Sequence, residues 1–524
     1  MEEARPSARR LALSTAIFSA ATALSRILGL VREIVARAYF GVEGAGINAF
    51  TVAFQIPNLV RALVADAALS GAFVPVFTEL LERGERARAW RVASTLFWLL
   101  LLGLSALTAL SILAAPLLVR PFDVADEELA VRLTQILFPI VALLGVSGIV
   151  VGILNSYEHF SIPALTPVFW NVAIIAGLVL GVPHAETEEG ELYVYAVSIL
   201  VGTIVQVLLP VPWLRGRDGR LRVAIDWRDP AVKQVFLLMG PVTLGLGLIN
   251  VNQLFGTFFA SRYIDPTLSP AAIDAAFRIY MLPQGVFSVA VSTVLFPRLA
   301  QLSARGDLEG FGRWIGIGLR QIAFLLVPAS VVCAVLAEPI VRILYERGEF
   351  TARETPVVAA SLAAFSLGLA FNGMMLMLNR GFFGLQAPWT PTLVALGNLV
   401  LNVALYAALF RVGTWGIPLA ISLANIAGTL ALALLLRRRL GPLGFRAISA
   451  ATARIALAST VMGALAFATW YGLDGVVGRS FGGQAVALAA ALAVAAATYL
   501  GAARLLRIEE VSALHSLLGR FRRA

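Results

Sequence analysis

The sequence predicts an all-α polytopic membrane protein of fourteen transmembrane helices, built as two like-oriented six-helix lobes followed by two extra C-terminal helices. Three observations predict it: too much apolar surface for a soluble core, apolar runs of spanning length, and arginines confined to alternate loops. The 524 residues are 59% hydrophobic and 14% charged, with a mean hydropathy of +0.84. A soluble domain is about 45–50% apolar and about 25% charged, so the excess here needs lipid to cover it. The one cysteine, Cys333, lies in the apolar run Leu325–Leu336 and excludes a disulfide framework. Three scattered histidines, His159, His184 and His515, offer no histidine-rich metal site.

Residues 1–10 are basic and precede an apolar run, 11–31, that exceeds the roughly 7–15 residues of a signal peptide. It is expected to be the first helix of the mature protein. A spanning helix needs about 20 mostly apolar residues. The next candidates are 47–72, 92–118, 133–154, 163–181 and 192–213. The second series is 235–260, 271–296, 314–336, 355–378, 389–410 and 414–436, and the last pair is 450–472 and 483–503. No segment alternates apolar and polar residues as barrel strands do, so a transmembrane barrel is not expected.

The net charge of +10 is almost wholly arginine, Lys233 being the single lysine. Loops that follow an even number of segments hold Arg5, Arg9 and Arg10; Arg83, Arg86, Arg88 and Arg91; Arg215, Arg217, Arg220, Arg222 and Arg228. They also hold Arg298, Arg305 and Arg313, then Arg437, Arg438 and Arg439, and finally Arg520, Arg522 and Arg523. Intervening loops are acidic, as with Asp123, Asp126, Glu127 and Glu128, or Glu186, Glu188, Glu189 and Glu191. The positive-inside rule then places both termini in the cytoplasm, and the charge orients the chain rather than binding nucleic acid. The tail, Ile508–Ala524, reads either as a basic amphipathic helix on the membrane surface or as a solvated extension.

An internal repeat divides the chain. Pro75, Leu80, Arg83 and Gly84 recur 222 residues later as Pro297, Leu302, Arg305 and Gly306. Leu154-Asn155, Pro163 and Pro167 recur as Leu378-Asn379, Pro388 and Pro391, 224 to 225 residues on. Both pairs lie six segments apart, so the halves share an orientation and the repeat axis runs along the membrane normal. The expected divisions are 1–222, 223–440 and 441–524.

Four arginines stand where insertion into lipid costs about 2.5–3.5 kcal/mol each: Arg26 within the first segment, Arg32 at its end, Arg61 in the second, and Arg278 in the eighth. Guanidinium forks grip phosphate oxygens bidentately and keep their charge when desolvated, so a cavity lined by them predicts a phosphate-bearing anion. The alternative is snorkelling to the interface, which also suits Arg320 and Arg454. Glu33 and Asp66 either restrain these arginines or lie exposed, and Ser25 and Asn252 are further candidate polar groups of the cavity. Asn398 and Asn402, four apart on the eleventh segment, either hold a monovalent cation or bond a neighbouring helix. Gly29, Pro57, Gly240-Pro241, expected to open the seventh segment, and Pro283 are expected to kink or soften the helices near these charges.

These residues carry a resemblance. Ser25-Arg26, Leu28-Gly29, Val31-Arg32-Glu33, Ala49-Phe50, Val52-Ala53-Phe54, Pro57-Asn58-Leu59 with Arg61, and Ala72-Phe73-Val74-Pro75 resemble the opening of the lipid II flippases, the MurJ family. Ile153-Leu154-Asn155, Phe160, Ile162-Pro163-Ala164, Pro167 and Asn171 are similar too. The resemblance implies the fold of the multidrug/oligosaccharidyl-lipid/polysaccharide exporter superfamily in a bacterial cytoplasmic membrane. It implies transfer of lipid II, the undecaprenyl-diphosphate-linked peptidoglycan precursor, to the outer leaflet by alternating access. By the same resemblance Arg26, Arg32, Arg61 and Arg278 line the cavity, and the last two helices offer a groove to the prenyl tail. Membrane lipids are the other expected partners, a monomer is expected, and no cofactor is expected beyond dependence on membrane potential or a monovalent cation. The chain departs from the family at Asn48 and Phe277, each where an acid is usual, and at Glu33, where aspartate is. Asn398 and Asn402 stand where some members use an Asn and an Asp for sodium, which weakens the case for sodium coupling. Rival readings are an exporter of another polyprenyl-linked oligosaccharide or of drugs, a membrane-embedded polyprenyl-phosphate transferase, and a scaffold. The arginines disfavour drugs, the lack of paired helix-terminal carboxylates disfavours the transferase, and the repeat disfavours the scaffold.

Overall fold

The computed structural model describes residues 8–63, 72–441 and 445–510. Helix accounts for 85% and no strand occurs among the described residues, as a chain whose backbone must satisfy itself in lipid requires. The contacts divide the chain into two compact units, Met1–Ala271 and Ala272–Ala524.

The first unit holds α1 (Ala8–Phe40), α2 (Ala45–Arg61), α3 (Val74–Glu82), α4 (Arg86–Leu113), α5 (Ala115–Val119), α6 (Glu127–Leu137), α7 (Pro139–Ser156), α8 (Ser161–Gly181), α9 (Glu188–Leu208) and α10 (Pro230–Phe259). Helix starts follow capping chemistry. Asp126 accepts from Leu129 N at 3.0 Å and Thr187 from Gly190 N at 3.1 Å, while Asp229, before Pro230, accepts from Ala231 N at 2.8 Å. α2 is buried from Gly46 to Ala53 without a break, packed against α6, α7, α9 and α10. α1 packs along α8, and α8 along α9.

The second unit holds α11 (Ser269–Pro283), which begins at the unit boundary, α12 (Val289–Ala304), α13 (Leu308–Val335), α14 (Ala337–Tyr345), α15 (Thr355–Gly384), α16 (Trp389–Leu409), α17 (Gly416–Leu440), α18 (Phe445–Val477) and α19 (Phe481–Leu505). A π-helical turn, Gln284–Ser288, joins α11 to α12 just after Pro283. α15 and α17 approach closely: a Cβ on Gly368 would lie 2.6 Å from Ser422 Cα, and Ser422 Oγ accepts from Gly368 N at 3.1 Å. This small-residue packing is how helices associate where lipid removes a hydrophobic drive between them. The α18–α19 hairpin lies on α13, with Tyr499 donating to Phe324 O at 2.7 Å.

Among the described residues, eleven helices are long and apolar enough to cross a membrane. Of the remaining three expected segments, 11–31 and 235–260 fall on α1 and α10, and 47–72 begins on α2, its residues 64–71 lying outside the described residues. Some boundaries differ from expectation. α1 runs to Phe40, so Arg32 stands inside a helix and not at its end. Gly240-Pro241 lies within α10 and does not open it. Ile508–Glu510 are described, and the rest of the expected tail helix lies outside the described residues.

The repeat is visible in matched boundaries. α4 and α13 are both 28 residues long and 222 apart. Gly84 and Gly306 both take positive φ, +77° and +72°, where a side chain would be strained, and each closes a helix with the same pair of bonds. Beyond the short helices α5 and α14 the spacing becomes 228: α8 and α16 are both 21 residues long, and Glu158 and Gln386 end the preceding helices at φ 58° and 54°. Pro163 therefore matches Pro391 rather than Pro388, and the expected Leu154–Leu378 pairing falls one turn short. The change of spacing lies in the segment after α14, where Glu346 accepts from Thr355 Oγ1 at 2.7 Å, Phe350 is buried against Tyr345, and Arg347 lies 5.3 Å over the Phe481 ring of α19.

Candidate functional site

In the first unit α2 ends on Arg61, whose Nε and Nη2 donate to Asn58 Oδ1 at 3.2 and 2.9 Å. Arg61 borders a cavity of about 260 Å³. Phe54, Pro57 and Asn58 share its α2 wall. Leu137, Ile140 and Leu144 of α6 and α7, Pro167 and Trp170 of α8, and Ile199, Thr203 and Gln206 of α9 close it. The walls are mostly apolar, with a guanidinium, two amides and a hydroxyl among them. A cation beside such walls is poorly screened, so it attracts an anion more strongly than in water.

Trp170 joins a second arginine to this cavity. Its Nε1 donates to Thr203 Oγ1 at 3.2 Å, and Thr203 in turn donates to Ile199 O at 2.8 Å. Over the ring, 4.7 Å from its centroid, sits Arg32 Cζ, a cation–π contact. Arg32 is 9% exposed and its Nε finds no hydrogen-bond partner among the described residues. Glu33 is shared between two arginines and is closer to the other: its Oε2 is 3.9 Å from Arg32 Nη2, whereas its Oε1 accepts from Arg37 Nε at 2.9 Å and meets Arg37 Nη2 at 2.8 Å. Arg37 was not among the expected site residues, although its i,i+4 spacing from Glu33 is a readable signal.

Ser25, seven residues before Arg32, shares its helix face, and its carbonyl accepts from Asn171 Nδ2 at 3.4 Å. Asn171 Oδ1, also buried there, has no partner among the described residues. Arg26 is half-buried, but six residues of helix turn it about 120° from Arg32. The two therefore do not share a face of α1. Asn252 is half-buried on α10, and Asp66 lies outside the described residues.

In the second unit Arg278 meets a carboxylate one turn earlier. Its Nη2 and Nε donate to Asp274 at 3.1 and 3.4 Å. Asp274 thus gives Arg278 a carboxylate although Phe277 beside it is apolar; Phe277 stacks on Tyr280 and meets Phe365 at a tilt. Asn402 is 5% exposed and its Oδ1 lacks a partner among the described residues. Asn398 donates to Met375 Sδ at 3.7 Å. No group of three or more His, Cys, Asp or Glu suited to a metal occurs among the described residues.

Asn48 has a structural reason to be an amide. It is fully buried; its Nδ2 donates to the carbonyls of Val42, Gly44 and Thr267 at 2.9, 2.9 and 2.6 Å, and its Oδ1 accepts from Ala271 N at 2.9 Å. A carboxylate there would face three carbonyl oxygens with nothing to donate.

The family profile described as "Lipid II flippase MurJ" matches residues 36–492. A lipid II flippase MurJ of Burkholderia cenocepacia is 31% identical over 432 residues, covering 80% of this chain and 82% of the relative. Among solved structures, an inward closed conformation of lipid II flippase MurJ superposes with a TM-score of 0.76 at 24% identity, over 95% of this chain and 100% of the other. An inward-facing multidrug resistance MATE family transporter of the MOP superfamily gives 0.69 at 18% identity, over 80% and 95%.

Proposed function

The chain belongs to the MurJ family of lipid II flippases, and from that premise we propose how it carries its substrate. It is a multi-pass membrane transporter, not an enzyme, and it moves lipid II across the membrane for peptidoglycan synthesis. The chain crosses the bacterial cytoplasmic membrane fourteen times with both termini in the cytoplasm. The eleven apolar helices, the helices α1, α2 and α10, and the alternation of arginine-rich loops support this count. The lobes are 1–222 and 223–440, with 441–524 added, and the matched helix boundaries support the repeat.

The diphosphate is held by arginines. Arg61 and Arg32 act from the first lobe, with Arg26 and Ser25 nearby on α1, and Arg278 acts from the second. Glu33, Asp66 and Asn252 are supporting groups. The observation that carries this reading is the pairing of Arg61, at a cavity with mostly apolar walls, with Arg32 stacked on that cavity's Trp170. Lipid II enters from the cytoplasmic side, its charge offsets the repulsion among guanidinium groups, and the lobes alternate access while the prenyl tail stays in lipid along α18 and α19. A monovalent cation at Asn398 and Asn402, or the membrane potential, biases the cycle. The protein acts as a monomer.

The test is Arg61→Ala in vesicles loaded with lipid II. A hydrogen bond to a charged group is worth about 1.5–3 kcal/mol, so transport falls roughly 10- to 100-fold while elution and helical content stay as in the parent. Arg61→Lys, a point charge without the fork, recovers part of the rate. Parent-like transport by Arg61→Ala would remove Arg61 from the site.

A further inference from the structure

The segment that joins α9 to α10, residues 209–229, begins with a short 3-10 helix, Val211–Leu214, and is held against the first unit as a strap without further helix. Three contacts pin its backbone to α4: Trp98 Nε1 donates to Arg222 O at 2.9 Å, Arg222 N donates to Ser94 Oγ at 3.1 Å, and Asp226 N donates to Thr95 Oγ1 at 3.1 Å. Two of its three acids pair with α4. Asp218 accepts from Arg86 at 3.1 Å and from Tyr157 at 3.4 Å, and Asp229 takes both nitrogens of Arg88 at 3.0 Å. Arg88 holds the Asp229 carboxyl below its ordinary range, so it stays ionised and paired at neutral pH.

The outward side is different. Arg215, Arg220, Arg222 and Arg228 are exposed. Between them stand large apolar side chains that the fold leaves uncovered: Trp213 at 40%, Val223 at 79%, Ile225 at 50% and Trp227 at 64% exposure. Val223, Ile225 and Trp227 follow one another at every second position, and all three side chains are exposed. In water this combination would be costly. Next to the ends of two membrane helices it has the composition of an interfacial anchor, where aromatic and aliphatic side chains enter the acyl boundary and arginines meet phosphates. Because two of the strap's three acids, Asp218 and Asp229, are engaged by Arg86 and Arg88, its outer surface is strongly cationic, and Arg228 lies 5.8 Å over the Trp227 ring.

We propose that this strap is a binding site for anionic phospholipid, with Arg215, Arg220, Arg222 and Arg228 on the headgroups and Trp213, Val223, Ile225 and Trp227 among the first acyl carbons. The site is separate from the Arg61 cavity and does not depend on the identity of the transported lipid. It goes beyond orientation by positive loops, because orientation requires charge alone and not these apolar side chains among the charges.

The test uses full-length protein with Val223→Cys carrying an environment-sensitive dye. The native Cys333 is buried, so the parent chain supplies the labelling blank. In nanodiscs containing phosphatidylglycerol the dye emission shifts to the blue, and brominated phosphatidylglycerol quenches it more than brominated phosphatidylcholine at equal content. Arg220→Gln with Arg222→Gln abolishes that preference without changing elution. Equal quenching by the two brominated lipids would mean a general interfacial contact and overturn the anionic site, as would water-like emission in both compositions. These readings come from the labelled chain with its arginines intact, so they stand even if the double variant folds poorly.

Discussion

At the scale of single residues, the charges were legible and their partners were not. Arg26, Arg32, Arg61 and Arg278 announce themselves because an arginine in an apolar run is expensive wherever it points. Which group each meets depends on packing between helices far apart in sequence: Trp170, the shelf under Arg32, is 138 residues away. Local spacing could have given Arg37 and Asp274, each four residues from its partner. Asn48 shows the converse, a departure that looked like loss of an acid and is explained by bonds to Thr267 and Ala271. Trp170 is a positioning residue for Arg32. A cation–π contact of about 1 kcal/mol sets the expected effect of Trp170→Leu: half-saturation for lipid II rises roughly fivefold, with a smaller change in the maximal rate. Trp170→Phe keeps a ring beneath the guanidinium and stays within about twofold. Equal loss in both variants, measured in the same vesicle assay, would assign Trp170 to packing alone.

Among elements, the long apolar helices and their caps followed from the sequence, while short helices and changes of helix type did not. α5 and α14 are too short to show a period, and the π turn at Gln284–Ser288 depends on the packing around it. The best-defined junction between elements is one that no motif announced. Arg342 of α14, 7% exposed, donates to Glu338 at 2.6 Å, to Asp474 of α18 at 2.7 Å and to Gln484 of α19 at 3.0 Å. Gln484 also donates to Asp474 at 2.6 Å. This hub ties the terminal hairpin to α14 at one end, while Tyr499 ties it to α13 near the other. Removing one member of a buried ionic cluster costs about 3–5 kcal/mol, and the part exposure of Asp474 and Glu338 puts Arg342→Ala near about 3 kcal/mol. Heated detergent samples of that variant are expected to lose their monodisperse elution peak at lower temperature than the parent. Arg342→Lys, with a single point charge for three acceptors, recovers only part of the loss.

For the whole molecule, composition and charge alternation were enough to read a helical membrane protein, and the repeat was visible because glycine is needed at the same left-handed turn twice. Eleven helices among the described residues meet the length and hydropathy expected of a span. The energy source is a property of the complete cycle, and the buried Asn402 Oδ1 is where it can be tested. Asn402→Leu is expected to abolish any acceleration of flipping by sodium over potassium, with the response to an imposed potential retained; sodium dependence surviving in the variant would place the ion elsewhere. The halves keep register until the residues after α14, and there the second copy is longer by a few residues that reach Phe481 of the terminal hairpin. A chain restored to equal halves would keep both copies intact and lose the Arg347–Phe481 contact, so the added residues serve the hairpin and not the repeat.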